Sequence, residues 1–366
     1  MLDFGFTVDI EPTNRCNAKC HFCPRDQTPH QGLMTPEVFD QALARTIEFR
    51  AAVRDMDNTE VKVRFGEVVS DMVVNDVKVS LCGLGEPLLN KHTPSYVKKI
   101  RDAGLSCIMS SNGALLDRTR GEALLDAGLQ RIMINVGDID DDYESVYGLP
   151  FEKTRERVSH FARMAEGRCE VWIVLVNYRQ DPAHLEQMRS FWQNEGIPLF
   201  MEFEVMNRGG ALFVDHMQYD QYGELATAEN LLAQVPSDVY CVAPYIGAFV
   251  GYDGIYYLCC SDWKKEVGMG NVFDRSITDI MRDKYEAVMS REPICKTCNH
   301  DPVNRVIDEL RGIEAGDIPA GHERALIDEM ANLSAAFSSA LEKLRPGVTA
   351  PVPVAPPRRR IPIQAS

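Results

Sequence analysis

Between residue 8 and about residue 205 the chain alternates short apolar runs with segments whose apolar residues recur every three to four positions. That is the pattern of successive strand–helix units. The runs at 8–11, 77–82, 105–110, 131–136, 170–177 and 199–205 each predict a strand. Helix boundaries are marked as well. Thr35-Pro36 and Thr93-Pro94 read as an N-cap followed by a proline at the first helical position, and Gly104, Gly128, Gly167 and Gly196 fall where a left-handed residue would end a helix. In the first helix Val38, Phe39, Ala42, Leu43, Thr46 and Ile47 form one stripe, expected to be buried against a sheet. Six such repeats predict an α/β domain with a parallel sheet covered on at least one face.

Two regions depart from the repeat. Between Glu48 and Asp76 a β-rich stretch (Val61, Val63, Phe65, then Val68, Val69 and Met72 to Val74) precedes the second core strand, and it reads as an inserted hairpin. Beyond Asn207 the repeat stops, and a helical segment is expected over roughly 216–234. The domain boundaries expected are therefore 1–206 for the repeat unit, 207–237 for a helical linker, 238–300 for a second cysteine-bearing unit and 301–345 for closing helices. The remainder, 346–366, is rich in proline, carries three consecutive arginines and is expected to be extended or disordered.

Composition narrows the function. Thirty-nine Lys+Arg stand against 54 Asp+Glu, a formal net charge of -15, which argues against a nucleic-acid partner because neutralising phosphates requires clustered cations. No apolar run approaches the ~20 residues of a bilayer span, and the opening MLDFGFTVDIEP lacks the features of a signal peptide. The chain is accordingly expected to be cytoplasmic, with no membrane partner. Eleven cysteines are many for a reducing compartment, so those at close spacing are expected to bind metal.

Cys16, Cys20 and Cys23 have the spacing CxxxCxxC directly after the first predicted strand. A closed four-iron cluster takes four thiolates, so three leave one iron open for chemistry. A structural zinc site completed by His21 or His30 is the alternative at this point. The spacing, however, resembles that of the radical S-adenosylmethionine (SAM) superfamily, and the likeness continues. Phe22 stands where that family has an aromatic residue beside the adenine. Gly83-Leu84-Gly85-Glu86-Pro87 resembles its GGE motif, which receives the SAM amino group. Ser110-Ser111-Asn112-Gly113 resembles its SNG turn, and Ile134-Asn135-Val136-Gly137-Asp138, with Tyr143 and Gly148, resembles its ribose segment. Asn135 replaces the usual serine there, and Asp138 the usual glycine. Each motif falls at the carboxyl end of a predicted strand, where parallel barrels place their sites.

The resemblance implies a partial (β/α)6 TIM-type barrel. It implies SAM contacts from Phe22, Gly85, Glu86, Pro87, Ser110, Asn112 and Asn135, with Asn177 at the end of the fifth strand as a further candidate. Cys241, Cys259, Cys295 and Cys298, with the element Gly254-Ile-Tyr-Tyr-Leu-Cys259, resemble the SPASM/twitch domains appended to such enzymes. No cysteine follows Cys298, which favours the shorter twitch form with one auxiliary [4Fe-4S] cluster. A zinc ribbon-like site is the alternative by spacing alone. Cys260 is expected to face away from that cluster, because neighbouring side chains in a strand alternate, and Cys82, Cys107 and Cys169 are expected to be core residues.

A SAM-derived radical beside an auxiliary electron acceptor favours dehydrogenation of a small polar substrate (a sugar, aminocyclitol or nucleoside), with a flavodoxin or ferredoxin as electron donor. Arg208, Glu204 and Asp138 are the candidate catalytic groups at the barrel mouth. The alternatives are a peptide-modifying maturase, radical carbon–carbon coupling of a nucleotide sugar, and a non-catalytic scaffold with two zinc sites. A barrel beginning near residue 8 leaves no room for a leader-peptide domain, which weighs against the maturase.

Overall fold

The computed structural model describes residues 4–54, 60–65, 68–214, 219, 235 and 239–343. The helix expected over 216–234, apart from Tyr219, and the tail at 346–366 lie outside the described residues.

Six parallel strands form the core of one sheet: β1 (Phe4–Ile10), β3 (Val68–Leu81), β4 (Ser106–Ser111), β5 (Arg131–Asn135), β6 (Glu170–Asn177) and β7 (Leu199–Glu204), paired in that order. Between them lie α1 (Pro36–Val53), α2 (Thr93–Asp102), α3 (Arg118–Asp126), α4 (Asp140–Tyr147), α5 (Phe151–Ala165) and α6 (Pro182–Asn194). The insertion is a hairpin in which β2 (Glu60–Phe65) runs antiparallel to the first half of β3, so one long strand serves both the hairpin and the core.

Local chemistry explains most boundaries. Thr35 caps α1, its hydroxyl accepting from the Val38 amide. Thr93 behaves differently from the expected cap. It is the first helical residue of α2, and its hydroxyl donates to the Pro87 carbonyl at 2.6 Å, tying the helix to the loop that follows β3. Gly104, Gly128, Gly167 and Gly196 all have positive φ, between 69° and 89°, the left-handed conformation that glycine adopts without a Cβ clash. The buried stripe of α1 is Phe39, Ala42, Leu43, Thr46, Phe49 and Val53, whereas Ile47 is 38% exposed. The stripe drifts round the helix because 3.6 residues per turn carry it from position 47 to 49 and 53.

Burial alternates along β4 and β5. The fully buried side chains Cys107, Met109, Ile132 and Ile134 pack in the core, and the half-accessible Ser110, Met133 and Asn135 face the lumen cavity. After the barrel come β8 (Gly247–Val250), β9 (Ile255–Tyr257) and β10 (Gly268–Asn271). They do not stand apart. β8 pairs parallel with β1, Asp9 opposite Phe249, so the second region continues the barrel sheet. Helices α7 (Ile277–Met289), α8 (Pro293–Thr297), α9 (Pro302–Ala315) and α10 (His322–Lys343) complete the described chain.

Candidate active site and cluster sites

A cavity of about 460 Å³ opens at the carboxyl ends of the parallel strands, with Cys16, Cys20 and Cys23 on its wall. The loop that carries them is pinned to the end of α4 through Lys19 N to Tyr147 O and His21 N to Val146 O, at 2.8 and 3.1 Å. Burial raises all three thiols, Cys23 to about 11, and for Cys20 the neighbouring Cys23 and Cys16 add to the rise. Three thiols crowded enough to repel as thiolates, facing one cavity, suit a polynuclear cluster that neutralises them. Among the described residues no three His, Cys, Asp or Glu side chains converge on the position of a single metal ion. His21 and His30 are exposed and off the cavity wall, so the arrangement does not fit the mononuclear zinc alternative.

The loop after β3 makes the adjoining wall. Gly85 lies so close to the cysteine loop that a Cβ would sit 2.4 Å from the Arg15 carbonyl oxygen and 2.5 Å from that of Thr13. Glu86 is fully buried and accepts from Leu88 N (3.1 Å), Ser111 Oγ (2.9 Å) and Asn112 N (2.8 Å). Burial nevertheless pushes its carboxyl up to about 6. Asn112 donates to Asn17 at 2.9 Å, linking the turn after β4 back to the cysteine loop. Asn135 accepts from Tyr147 Oη at 3.0 Å, and the Phe22 ring packs edge-on to Tyr147. Phe22, Gly85, Glu86, Ser110, Asn112 and Asn135 thus share one cavity. Pro87 does not reach it. It opens a buried 3-10 turn directly after Glu86.

The catalytic candidates separate. Arg208 lines the cavity, its guanidinium 5.4 Å from the Trp263 ring. Its φ of 53° is left-handed, a conformation that costs an L-residue roughly 1–2 kcal/mol. Glu204 is at the exposed rim, accepting from Asn177 and Gln180 at 2.9 Å each. Asn177 reaches Glu204 but is not on the cavity wall. Asp138 is not at the mouth. It is fully buried behind the wall, held by Arg179 (2.7 Å), His184 (3.2 Å) and Tyr178 (3.1 Å).

Sequence reasoning missed Asp9 and Cys82. Strand alternation turns both into the lumen, where the Cys82 thiol donates to Asp9 Oδ1 at 3.2 Å, so Cys82 is a cavity residue and not core packing. Burial raises Asp9 to about 6, against the thiol hydrogen bond and the nearby Lys284. The odd position of Asp9 in an otherwise apolar strand was the available signal.

Cys241, Cys259, Cys295 and Cys298 surround a second, small cavity of about 30 Å³ together with Gly209, His300 and Asp301. Asn304 braces this loop, donating to the carbonyls of Lys296 (2.9 Å) and Cys298 (2.8 Å). Four thiols lining one cavity, Cys298 buried and the others half-buried, each raised by desolvation and by a neighbouring cysteine or acid, fit a closed cluster. Cys260 faces the larger cavity instead. The segment 207–210 contributes to both cavities, Arg208 to the larger and Gly209 to the smaller. Asn207 and Asn299 exchange a pair of 3.1 Å bonds between amide N–H and side-chain oxygen, and Thr297 Oγ1 donates to the Gly209 carbonyl at 2.8 Å. A buried ion pair, Glu11–Lys265 at 2.7 Å, joins the end of β1 to the loop after β9. Glu11 also accepts from Leu84 N and Tyr252 N.

The sequence model described as the radical SAM superfamily matches residues 10–191, and that of an iron-sulfur cluster-binding domain matches residues 241–299. The chain belongs to the radical SAM superfamily. A radical SAM core followed by this second domain carries SAM, a [4Fe-4S] cluster and an auxiliary iron-sulfur cluster as cofactors, and the seven cysteines fit the two clusters by the geometry above. Among curated proteins the chain is similar to Fe-coproporphyrin III synthase of Methanosarcina barkeri, 26% identical over 150 residues, covering 39% of this chain and 32% of that protein. It is also similar to GTP 3′,8-cyclase of Campylobacter fetus, 30% identical over 142 residues and 37% of each chain. The match thus spans about a third of these relatives. Among solved structures, Streptococcus suis SuiB bound to SAM aligns with a TM-score of 0.54 at 14% identity, covering 82% of this chain and 72% of that one. The protein anSMEcpe with bound SAM aligns with a TM-score of 0.53 at 14% identity, covering 92% and 99%. These structures share the fold. No helix among the described residues is long and apolar enough to cross a membrane.

Proposed function

We propose that this radical SAM enzyme dehydrogenates a small polar substrate, a sugar, aminocyclitol or nucleoside, converting a secondary alcohol to a ketone. The reading rests on one observation: a single cavity is bordered by the three-cysteine loop, by the buried carboxylate of Asp9, and by Cys260, whose neighbour Cys259 faces the auxiliary site. Dehydrogenation removes a hydrogen atom, a proton and an electron, and the cavity has a neighbour suited to each. The cluster that Cys16, Cys20 and Cys23 would hold would supply the reductive cleavage of SAM by which the hydrogen atom could be taken from the carbinol carbon.

The proton is then the protein's task. Asp9 is the acceptor, because it lies on the cavity wall and its carboxyl, raised to about 6, is poised to gain a proton near neutral pH. Cys82 holds it in place through the 3.2 Å bond. Arg208 offers N–H donors and no acceptor, so it is not assigned as the base. The auxiliary cluster that Cys241, Cys259, Cys295 and Cys298 would hold would supply the acceptor for the substrate's electron, and a ferredoxin or flavodoxin would supply the electron for SAM cleavage. The cavity size of about 460 Å³ is at the lower end of small-molecule sites and must also hold SAM, which favours a small co-substrate over a folded one.

The test is product stoichiometry. Candidate polyols are incubated anaerobically with the reduced holoenzyme and SAM. One ketone per 5′-deoxyadenosine, with deuterium moving from the carbinol carbon into 5′-deoxyadenosine, supports the reading. A methylated product, or a thioether formed only on a peptide, contradicts it.

A further inference from the structure

The charged side chains on the cavity wall are Asp9, Glu86, Glu204 and Arg208. Each carboxylate has partners: Glu86 takes three donors, Glu204 holds Asn177 and Gln180, and Asp9 holds the Cys82 thiol. Arg208 differs. Among the described residues its guanidinium makes no hydrogen bond and no ion pair, although it carries five N–H donors in a planar fork and is half-buried. By contrast the half-buried Arg291 is paired with Asp301, and Arg155 with Glu152 and Glu195.

The fold fixes Arg208 in this state. Its backbone is left-handed, and the residues on both sides are bolted to the Thr297–Asn299 loop. The guanidinium lies over Trp263, which is 6% exposed and also lines the cavity, and whose indole N–H has no partner. Two unspent donor groups on one wall, one of them a cation, are suited to a ligand that brings negative charge and oxygen acceptors. Arg208 follows β7 and Trp263 follows β9, elements that carry none of the SAM motifs on the loops after β1, β3, β4 and β5.

We propose that Arg208, seated on Trp263, is the receptor for an anionic group, a carboxylate or a phosphate, carried by the co-substrate. The proposal rests on the reading of this cavity as the joint site of SAM and co-substrate, and it narrows the substrate class from neutral polyols to their phosphorylated or carboxylated forms.

The co-substrate being unidentified, the probe is inorganic phosphate. It is titrated into the reconstituted holoenzyme with SAM bound, and its ³¹P line broadening by the paramagnetic reduced clusters is followed. Saturable broadening is expected in the wild type. Arg208→Gln is expected to weaken it at least tenfold and Trp263→Phe several-fold. Arg208→Lys, which keeps the charge but loses the planar fork, is expected to weaken it measurably. Far-UV circular dichroism and iron content report that each variant is folded and loaded.

No saturable broadening in the wild type, or broadening unchanged in Arg208→Gln, overturns the proposal. So does competition between phosphate and SAM together with a tenfold loss of SAM affinity in Arg208→Gln, which would give the guanidinium to the carboxylate of SAM. The same titration separates the underlying reading. Failure of the wild type to bind SAM removes the cavity assignment itself, whereas SAM binding without phosphate binding removes only the anion receptor.

Discussion

Replacing Lys265 by methionine should destabilise the protein far more than a surface charge change would. The Lys265 side chain is 5% exposed and that of Glu11 0%, with 2.7 Å between Nζ and Oε2. At an effective dielectric of about 20 the attraction at that distance is about 6 kcal/mol, and desolvation of the two charges offsets most of it. The pair as a whole is therefore close to neutral against an apolar pair. Breaking it is not. Removal of the ammonium leaves a buried carboxylate with only two backbone donors, Leu84 N and Tyr252 N. It also removes the cation from between the Tyr252 and Tyr257 rings, 4.5 and 4.8 Å from their centres.

The expected cost of Lys265→Met is about 3–5 kcal/mol, with a similar cost for Glu11→Gln. The double variant Glu11→Gln/Lys265→Met should cost at least about 2 kcal/mol less than the two single changes together. Urea unfolding of the metal-free protein, followed by circular dichroism and read as a midpoint shift at constant slope, measures this. Limited proteolysis should cut within 239–300 sooner in the single variants, because the pair ties that region to β1. Single-variant costs below about 1 kcal/mol, or strict additivity in the double variant, refute the reasoning.

Asp9→Asn tests the buried carboxyl. A folded-state value of about 6 against 3.8 unfolded means that folding favours the protonated acid, a contribution present below about pH 4 and lost as pH rises through 6. Relative to wild type, metal-free Asp9→Asn should therefore gain up to about 3 kcal/mol between pH 4 and pH 7, and equal pH slopes in the two proteins would show that the burial argument is wrong. Gly85→Ala should abolish SAM binding while leaving the auxiliary cluster loaded, since the new methyl meets two backbone carbonyls of the cysteine loop. Unchanged SAM affinity by calorimetry would contradict that geometry. Cys259→Ser should lose the auxiliary cluster and Cys260→Ser should keep it, as counted by iron analysis, because the two side chains face different cavities. Loss of iron in both would mean that they share one site.

The strand–helix alternation placed five of the six core strands within about four residues, and of β3 only the core half, because parallel strands are buried on both faces and read as apolar runs. The C′ glycines and the cysteine spacing were equally legible, since both are local. What escaped the sequence was set by non-local pairing. That β8 would join β1, and so bring Cys260, Trp263 and Lys265 to the barrel mouth, depends on contacts more than 200 positions apart. Asp138 shows the reverse error. Its place in a strand-end motif suggested the mouth, but Arg179, on the loop after β6, and His184, in α6, draw its carboxylate behind the wall. Cys82 looked like packing because a thiol in a strand usually is. Only the register with Asp9 on the neighbouring strand turns it into a polar partner.

The central claim, that two separate cysteine sets hold two clusters and only the three-cysteine one engages SAM, is tested most directly by electron paramagnetic resonance of the anaerobically reconstituted, reduced protein with and without SAM. The account predicts roughly eight irons per chain and two signals, of which SAM shifts one. In the variant Cys16→Ala/Cys20→Ala/Cys23→Ala the SAM-sensitive signal and 5′-deoxyadenosine formation should both be absent while the other signal persists. Stoichiometric zinc without SAM binding, or a SAM-sensitive signal surviving in that variant, would contradict it.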